Sequence, residues 1–423
     1  MKTIIAIIFS LLSLATASAQ RICATPEYKT QSIQANPALQ ATFNSIEQQI
    51  ARTNSRVARD TTSNELISIP VVIHVIYNTA AQNISDAQIL TQIVALNNDF
   101  AYQNADKTNT PAAFKNVAAD IRIKFCIAQV DAKGNRTTGI IRTNTKVSSF
   151  SADDAMKFSL QGGDNAWDSK KYLNIWVCNL SGRSLGYATT PGSEFDKDGV
   201  VIAFDAFGTK GTLRPTFNKG RTATHEVGHW LGLKHLWGDA VCGDDLVDDT
   251  PTQKSYNYGT PTFPKMSPCS PNANGDMYMN YMDFSDDATM NMFTIGQKKR
   301  MRANFAKDGF RNSFLTSFAC DSNLVQAAVL PVAAPLKPVE TAAVASFKVY
   351  PNPVQSVINI EAATGTFTSA KTIRIFNTTG TIVMTAQLVK TSASFNLTIL
   401  PAGFYIIKIG EGATEFTSKF VKM

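Results

Sequence analysis

Three of the chain's four histidines fall within eleven residues, His225-Glu226-Val227-Gly228-His229-Trp230-Leu231-Gly232-Leu233-Lys234-His235. On a helix of 3.6 residues per turn His225 and His229 project from one face, so two imidazoles can share one metal. Glu226 is turned about 100° from His225 and misses that metal, but it reaches a water held there, which is where a general base must sit. Gly232 has no Cβ, so the chain can leave the helix through a tight turn and bring His235 back as a third ligand. Three nitrogens leave the fourth tetrahedral position open, which distinguishes a catalytic zinc from a closed structural one. Zinc so held acidifies a water to a pKa near about 7 and polarises a carbonyl, the chemistry of amide hydrolysis. The remaining histidine, His74, lies in the apolar run Ile69–Tyr77 and reads as a satisfied strand residue with no ligand role.

Asn280-Tyr281-Met282-Asp283-Phe284 follows as a turn whose methionine would form an apolar floor under the metal. The zinc motif, the stretch Cys242–Pro251 and the stretch Asn280–Met301 together resemble the pappalysin family of metzincins, over about residues 60 to 320. The resemblance implies a zinc endopeptidase acting on protein or peptide substrates, with Glu226 as base and then proton donor to the leaving amine. It also implies the Met282 turn, a Cys242–Cys269 disulfide, and calcium held by Asp245, Asp248 and the backbone carbonyl of Thr250. Substrate would lie antiparallel to an edge strand within Ser184–Thr189. Asp286 and Asp287 would border the pocket for the residue after the scissile bond, favouring arginine or lysine there. One position departs from the family: Phe284 stands where a tyrosine is usual, and losing such a hydroxyl donor costs roughly 10²- to 10³-fold in rate. Tyr278, Tyr281 and Tyr187 are the candidate replacements.

The frame around this site is that of an exported precursor. Lys2, the apolar run Ile4–Leu14 and Ala17-Ser18-Ala19 make a signal peptide over residues 1–19, and no later apolar run is long enough for a transmembrane anchor. Residues 20–59 are polar, with little periodic apolar pattern, and end in Arg52, Arg56 and Arg59, as a pro-segment with basic cleavage sites would. Cys23 within it is a candidate latency switch, since a thiolate can take the open zinc position; a disulfide role or an incidental thiol are the alternatives. In an oxidising compartment Cys126 and Cys178 are either buried and free or paired, with Cys320 a candidate partner. The net charge of +7 comes from scattered residues, without the basic helix or aromatic-interleaved patch of a nucleic-acid binder.

The expected fold is α+β. A strand at Ile67–Tyr77 precedes a helix over Ser85–Asn104, where Ile89, Leu90, Ile93, Leu96 and Phe100 recur at helical spacing and Ser85 with Gln88 makes a capping box. Further strands are predicted at Ile121–Ile127, Tyr172–Val177 and Gly199–Phe204, and the mixed sheet carries the zinc helix. This metzincin-type catalytic domain would span residues 60–320, followed by a Pro- and Ala-rich linker over 321–346. From 347 to 423, short alternating strands with turns at Thr379-Gly380 and Pro401–Gly403 predict a small β-sandwich. Val349-Tyr-Pro-Asn-Pro353, Leu400–Ile406 and the basic ending Lys419–Met423 resemble the C-terminal sorting domain of the type IX secretion system, which makes that machinery a partner and implies export through the periplasm of a Gram-negative bacterium. A zinc-bound but catalytically weak binding protein, or an adhesin, is the alternative function.

Overall fold

The structure is a computed structural model describing residues 21–57, 65–131, 135, 137–270, 273–317, 347–362, 370–377, 382–410 and 416–423. The expected signal peptide, Arg59, Cys320, the expected 321–346 linker and the predicted Thr379-Gly380 turn lie outside the described residues. The chain divides into two compact units, 1–331 and 332–423.

The described residues of the first unit begin with two helices, α1 (Thr25–Ala35) and α2 (Ala38–Val57). This corrects the reading of residues 20–59 as lacking periodic apolar structure. Leu39, Phe43 and Ile50 recur at helical spacing and are buried, with Ile46 half-buried between them. Their partner surface is far away in sequence: α2 packs on a late helix, α6 (Ile295–Ala303).

Strand β1 (Ile67–Tyr77) is buried along nearly its whole length. It pairs in parallel with β2 (Ile123–Ile127), β3 (Ile140–Asn144) and β4 (Leu173–Cys178), the last of which continues in parallel to β6 (Val200–Ala203). The edge is β5 (Gly186–Ala188), antiparallel to β6, so the sheet is mixed as expected. The short half-exposed β3 carries no clear two-residue alternation and was not anticipated. Helix α3 (Asp86–Phe100) packs on β2, and a one-turn helix α4 (Ala112–Lys115) follows. Ser85 caps α3 through the Gln88 amide, but the Gln88 side chain turns away to Phe204, Phe207 and Thr212, so the reciprocal half of the predicted box is missing. The two-sided box forms instead at α6, between Thr294 and Gln297.

Helix α5 (Arg221–Trp230) is buried at every position, inside a core shared by β1, β4, β6, α3 and the 277–293 segment. Cys242 and Cys269 form a disulfide, as the resemblance implied. Cys126 is also disulfide-bonded, whereas Cys178 is free and fully buried.

The described residues of the second unit include seven strands: β7 (Phe347–Tyr350), β8 (Val357–Ala362), β9 (Lys371–Phe376), β10 (Ile382–Leu388), β11 (Ser392–Asn396), β12 (Gly403–Ile409) and β13 (Phe416–Lys422). They form a four-stranded sheet, β10-β9-β12-β13, and a three-stranded sheet, β11-β8-β7. Alternate residues such as Ile358, Ile360, Ile373, Ile375, Ile407 and Ile409 meet in one core, which makes the predicted sandwich.

Candidate metal centre and cleft

The α5 helix ends where Gly232 takes φ +89°, and the chain then returns with Leu233 to His235. The three Nε2 atoms converge: His225 to His229 is 3.1 Å, His225 to His235 is 3.2 Å and His229 to His235 is 3.0 Å. Each opposite ring nitrogen faces an oxygen. Nδ1 of His225 lies 2.7 Å from the Tyr281 carbonyl, that of His229 2.9 Å from the Leu233 carbonyl, and that of His235 2.5 Å from Asp239. Nδ1 must therefore carry the proton, and three Nε2 lone pairs face one another with nothing to donate between them. A cation resolves that repulsion, so the donor set fits zinc. Burial, then the neighbouring imidazoles, pushes His225 well below its ordinary value, and burial with His235 brings His229 down to about 3; both rings are neutral, as ligands must be.

Cys23 completes the cluster, its sulfur and the three histidine nitrogens all lying within 4.8 Å of one another. It is carried in by residues 22–24, which pair in parallel with β5: Leu185 N–H donates to the Ile22 carbonyl and Ala24 N–H to the Gly186 carbonyl, both at 3.0 Å. Burial and the nearby Glu226 charge push the Cys23 thiol up, so a metal is what would hold it as thiolate.

Glu226 is 1% exposed, and its Oε2 accepts from Thr25 Oγ1 at 3.0 Å and from the Cys23 sulfur at 3.5 Å. Burial raises it to about 7, against the opposing pull of those two donors and of Arg21. Thr25 also accepts from Ala188 N–H at 2.9 Å, tying the carboxylate to the edge strand. A Cβ on Gly186 would stand 3.0 Å from Glu226 Cγ and 2.8 Å from the Val201 carbonyl, so only glycine lets β5 pass this close.

Met282 is fully buried beneath the helix, where a Cβ on Gly228 would meet its sulfur at 2.5 Å. The turn is held by Asn280, whose side chain accepts from Met282 N–H and pairs with Gln297. Phe284 sits against His235 and His225 at ring centroid distances of 4.9 and 5.8 Å, and against Trp237 at 4.9 Å. Of the three hydroxyls expected as replacements for its missing one, two are committed elsewhere. Tyr187 donates to Asp154, Tyr281 bonds Arg221 at 2.5 Å, and Tyr278 packs in the main core. The phenols lying against Phe284 are Tyr256 and Tyr258, which the sequence reading passed over because nothing in their loop marks it as part of the cleft.

The two acidic residues after the turn part company. Asp286 is half-exposed, whereas Asp287 is fully buried and receives the Lys219 and Arg221 amides and, at 2.5 Å, the guanidinium of Arg21. Arg21 is 2% exposed; it also donates to Thr222 Oγ1 and the Ser285 carbonyl and stacks over Phe217 at 5.1 Å. No local pattern around Arg21 in the sequence marks it for this place.

In the loop after the zinc motif, both Asp245 oxygens accept from Thr250 Oγ1 at 2.9 Å, and burial pushes Asp245 up to about 7; Asp248 is exposed. His74 is satisfied as expected, between Asp164 at 2.6 Å and Asn174 at 3.0 Å. Among the described residues no helix is long and apolar enough to cross a membrane.

The family model described as pregnancy-associated plasma protein-A matches residues 160–306, and that of the secretion system C-terminal sorting domain matches residues 348–423. An extracellular metalloprotease of Colletotrichum graminicola is 32% identical over 309 residues, which are 70% of this chain and 94% of the relative. Among solved structures, a promirolysin mutant of Tannerella forsythia is 46% identical with a TM-score of 0.65, covering 70% of this chain and 97% of that one. Mature mirolysin in complex with a cleaved peptide is 48% identical with a TM-score of 0.59, covering 63% and 99%.

Proposed function

The chain belongs to the pappalysin family of metalloproteases and ends in a type IX secretion sorting domain, and from that premise we propose how it works as a secreted zinc endopeptidase made latent. His225, His229 and His235 hold the zinc, Met282 underlies them, and Cys23 fills the remaining position in the precursor. The convergence of three proton-free Nε2 atoms on the Cys23 sulfur, with Glu226 alongside, carries this reading. Residues 1–19 are the signal peptide, 20–59 the pro-segment, 60–320 the catalytic domain, 321–346 a linker and 347–423 the sorting domain, with export through the periplasm of a Gram-negative cell.

Bound zinc supplies Lewis acidity to the scissile carbonyl and to the attacking water. Glu226 takes the proton of that water and delivers it to the leaving amine; removal of Cys23 and Thr25 frees the carboxylate oxygen that they occupy in the precursor for both tasks. The Tyr281 and Leu233 carbonyls and Asp239 fix the imidazole tautomers. With residues 20–59 removed, Leu185 N–H, the Gly186 carbonyl and Ala188 N–H become free to pair with a substrate backbone running antiparallel to β5.

Arginine or lysine is preferred after the scissile bond, because Arg21 of the precursor already exhibits the fit: a guanidinium on buried Asp287 with an aromatic ring across its face. Asp245, Asp248 and the Thr250 carbonyl bind calcium, which would keep the buried Asp245 charged.

The test compares protein lacking residues 1–59 with the same form carrying Glu226→Ala, measuring zinc content and cleavage of arginine-containing peptides. Cleavage by the first and not by the zinc-loaded second supports the mechanism. If both hold zinc and neither cleaves, the enzyme reading gives way to a binding role.

A further inference from the structure

Tyr28, in the first turn of α1, is 6% exposed and fills a socket that belongs wholly to the later chain. Its ring packs on that of Tyr187 at 4.8 Å, with the Lys157 ammonium 5.1 Å from its centre. Its hydroxyl donates to Asp154 Oδ2 at 2.8 Å. The walls have partners of their own. Asp154 Oδ1 receives the Tyr187 hydroxyl at 3.1 Å and the Lys157 ammonium at 2.7 Å, and Lys157, fully buried, also donates to the Lys197 carbonyl at 2.8 Å. Trp176 closes the same cluster, its ring 5.3 Å from that ammonium. Asp154 stands at φ +67°, a conformation aspartate tolerates better than most residues, so the loop is shaped around this carboxylate.

We propose that this socket, once the N-terminal segment has left, is a second specificity pocket beside the edge strand β5, taking an aromatic side chain with a hydroxyl donor from the amino side of the scissile bond. The proposal rests on the protease reading above. Departure of Tyr28 takes the donor from Asp154 Oδ2 and leaves a buried acceptor beside a fixed ammonium and two rings, which suits a phenol and penalises a group without a donor. Side follows from chain direction. Residues 22–24 run parallel to β5, opposite to an antiparallel substrate. Arg21, preceding Cys23, marks the pocket for the residue after the bond, so Tyr28, following Cys23 in the reversed chain, marks the amino side; its socket lies with Tyr187, Trp176 and Val201 on the face of the sheet opposite α5. Tyr187 belongs to β5 itself, so the socket adjoins the strand along which a substrate would lie.

The experiment uses the protein lacking residues 1–59 and peptides with arginine after the scissile bond and tyrosine, phenylalanine or alanine at each upstream position in turn. At one position tyrosine should raise kcat/KM about tenfold over alanine and several-fold over phenylalanine, the increment expected of a hydroxyl bonded to a charged acceptor. Asp154→Asn should reduce the tyrosine-over-phenylalanine ratio while keeping phenylalanine ahead of alanine. Equal rates for all three residues at every position, or a tyrosine preference indifferent to Asp154→Asn, overturn the pocket and leave the protease reading standing. Failure to cleave any arginine peptide overturns both.

Discussion

The helix that holds the histidines and the segment that covers them are both buried, by opposite means. Helix α5 is enclosed at all ten of its positions, and its polar groups are locked into the core: Arg221 bridges Asp99, Asp106 and Tyr281, and Thr224 bonds Asp99. Residues 21–57 instead rest on separate insertions, Arg21, Cys23 and Tyr28 into three holes and Leu39, Phe43 and Ile50 against the surface beside α6. A ligand set must hold its geometry through every turnover, so its supports interlock. A cover that must leave is better attached by side chains that withdraw one at a time, each exposing a hole already formed.

That contrast can be attacked from either region. The largest effect belongs to Asp287→Asn in the form lacking residues 1–59: kcat/KM for arginine peptides should fall about 10²-fold, the loss expected when a buried guanidinium loses its carboxylate, with alanine peptides much less affected. An equal loss on both would mean that Asp287 serves α5 and not the pocket. Next, Cys23→Ala in the full chain should raise peptide cleavage about tenfold over the intact precursor yet stay below the truncated form, because Arg21, Thr25 and Tyr28 remain inserted. Full activity on that one change would make the sulfur the whole lock. Smaller again, Phe43→Ala removes a buried ring from α2, and trypsin should cut near Arg52 several-fold faster through local opening while zinc content is unchanged. The smallest is a pH effect within the interlocked region. Burial pushes Asp283 up to about 6, so the native state holds its proton more tightly than the unfolded chain does. The stability tied to that proton is full below about pH 4 and is lost as pH rises through about 6. The wild-type melting temperature minus that of Asp283→Asn should accordingly fall between those values and level off above.

What could be read in advance follows the distance over which each feature is encoded. The zinc ligands and Glu226 lie on one helix and the turn after it, so spacing alone suggests a shared site, and the alternating strands of the second unit give their sandwich directly. The Arg21–Asp287 pair spans 266 residues and has no local signature. Helix α2 did have one, in Leu39, Phe43 and Ile50, but diluted among glutamines, asparagines and threonines it was passed over until α6 supplied the surface that buries it. Two of the hydroxyls suggested to stand in for Phe284, those of Tyr187 and Tyr281, are engaged elsewhere for a related reason. A tyrosine close in sequence to the metal turn, such as Tyr281, can have its oxygen in a buried network facing away, while Tyr256 and Tyr258 arrive from a separate loop.

The pairing of Cys23 with Gly186 separates occupancy from reaction by polarity alone. A chain laid parallel to β5 meets the edge strand with its amides in reversed sequence, so the bond nearest Glu226 presents nitrogen and carbonyl in the wrong order for attack. A synthetic peptide copying residues 21 to 28 in their native direction should therefore behave as a resident of the cleft and never as its reactant, and its lifetime there would be set by how fast it dissociates.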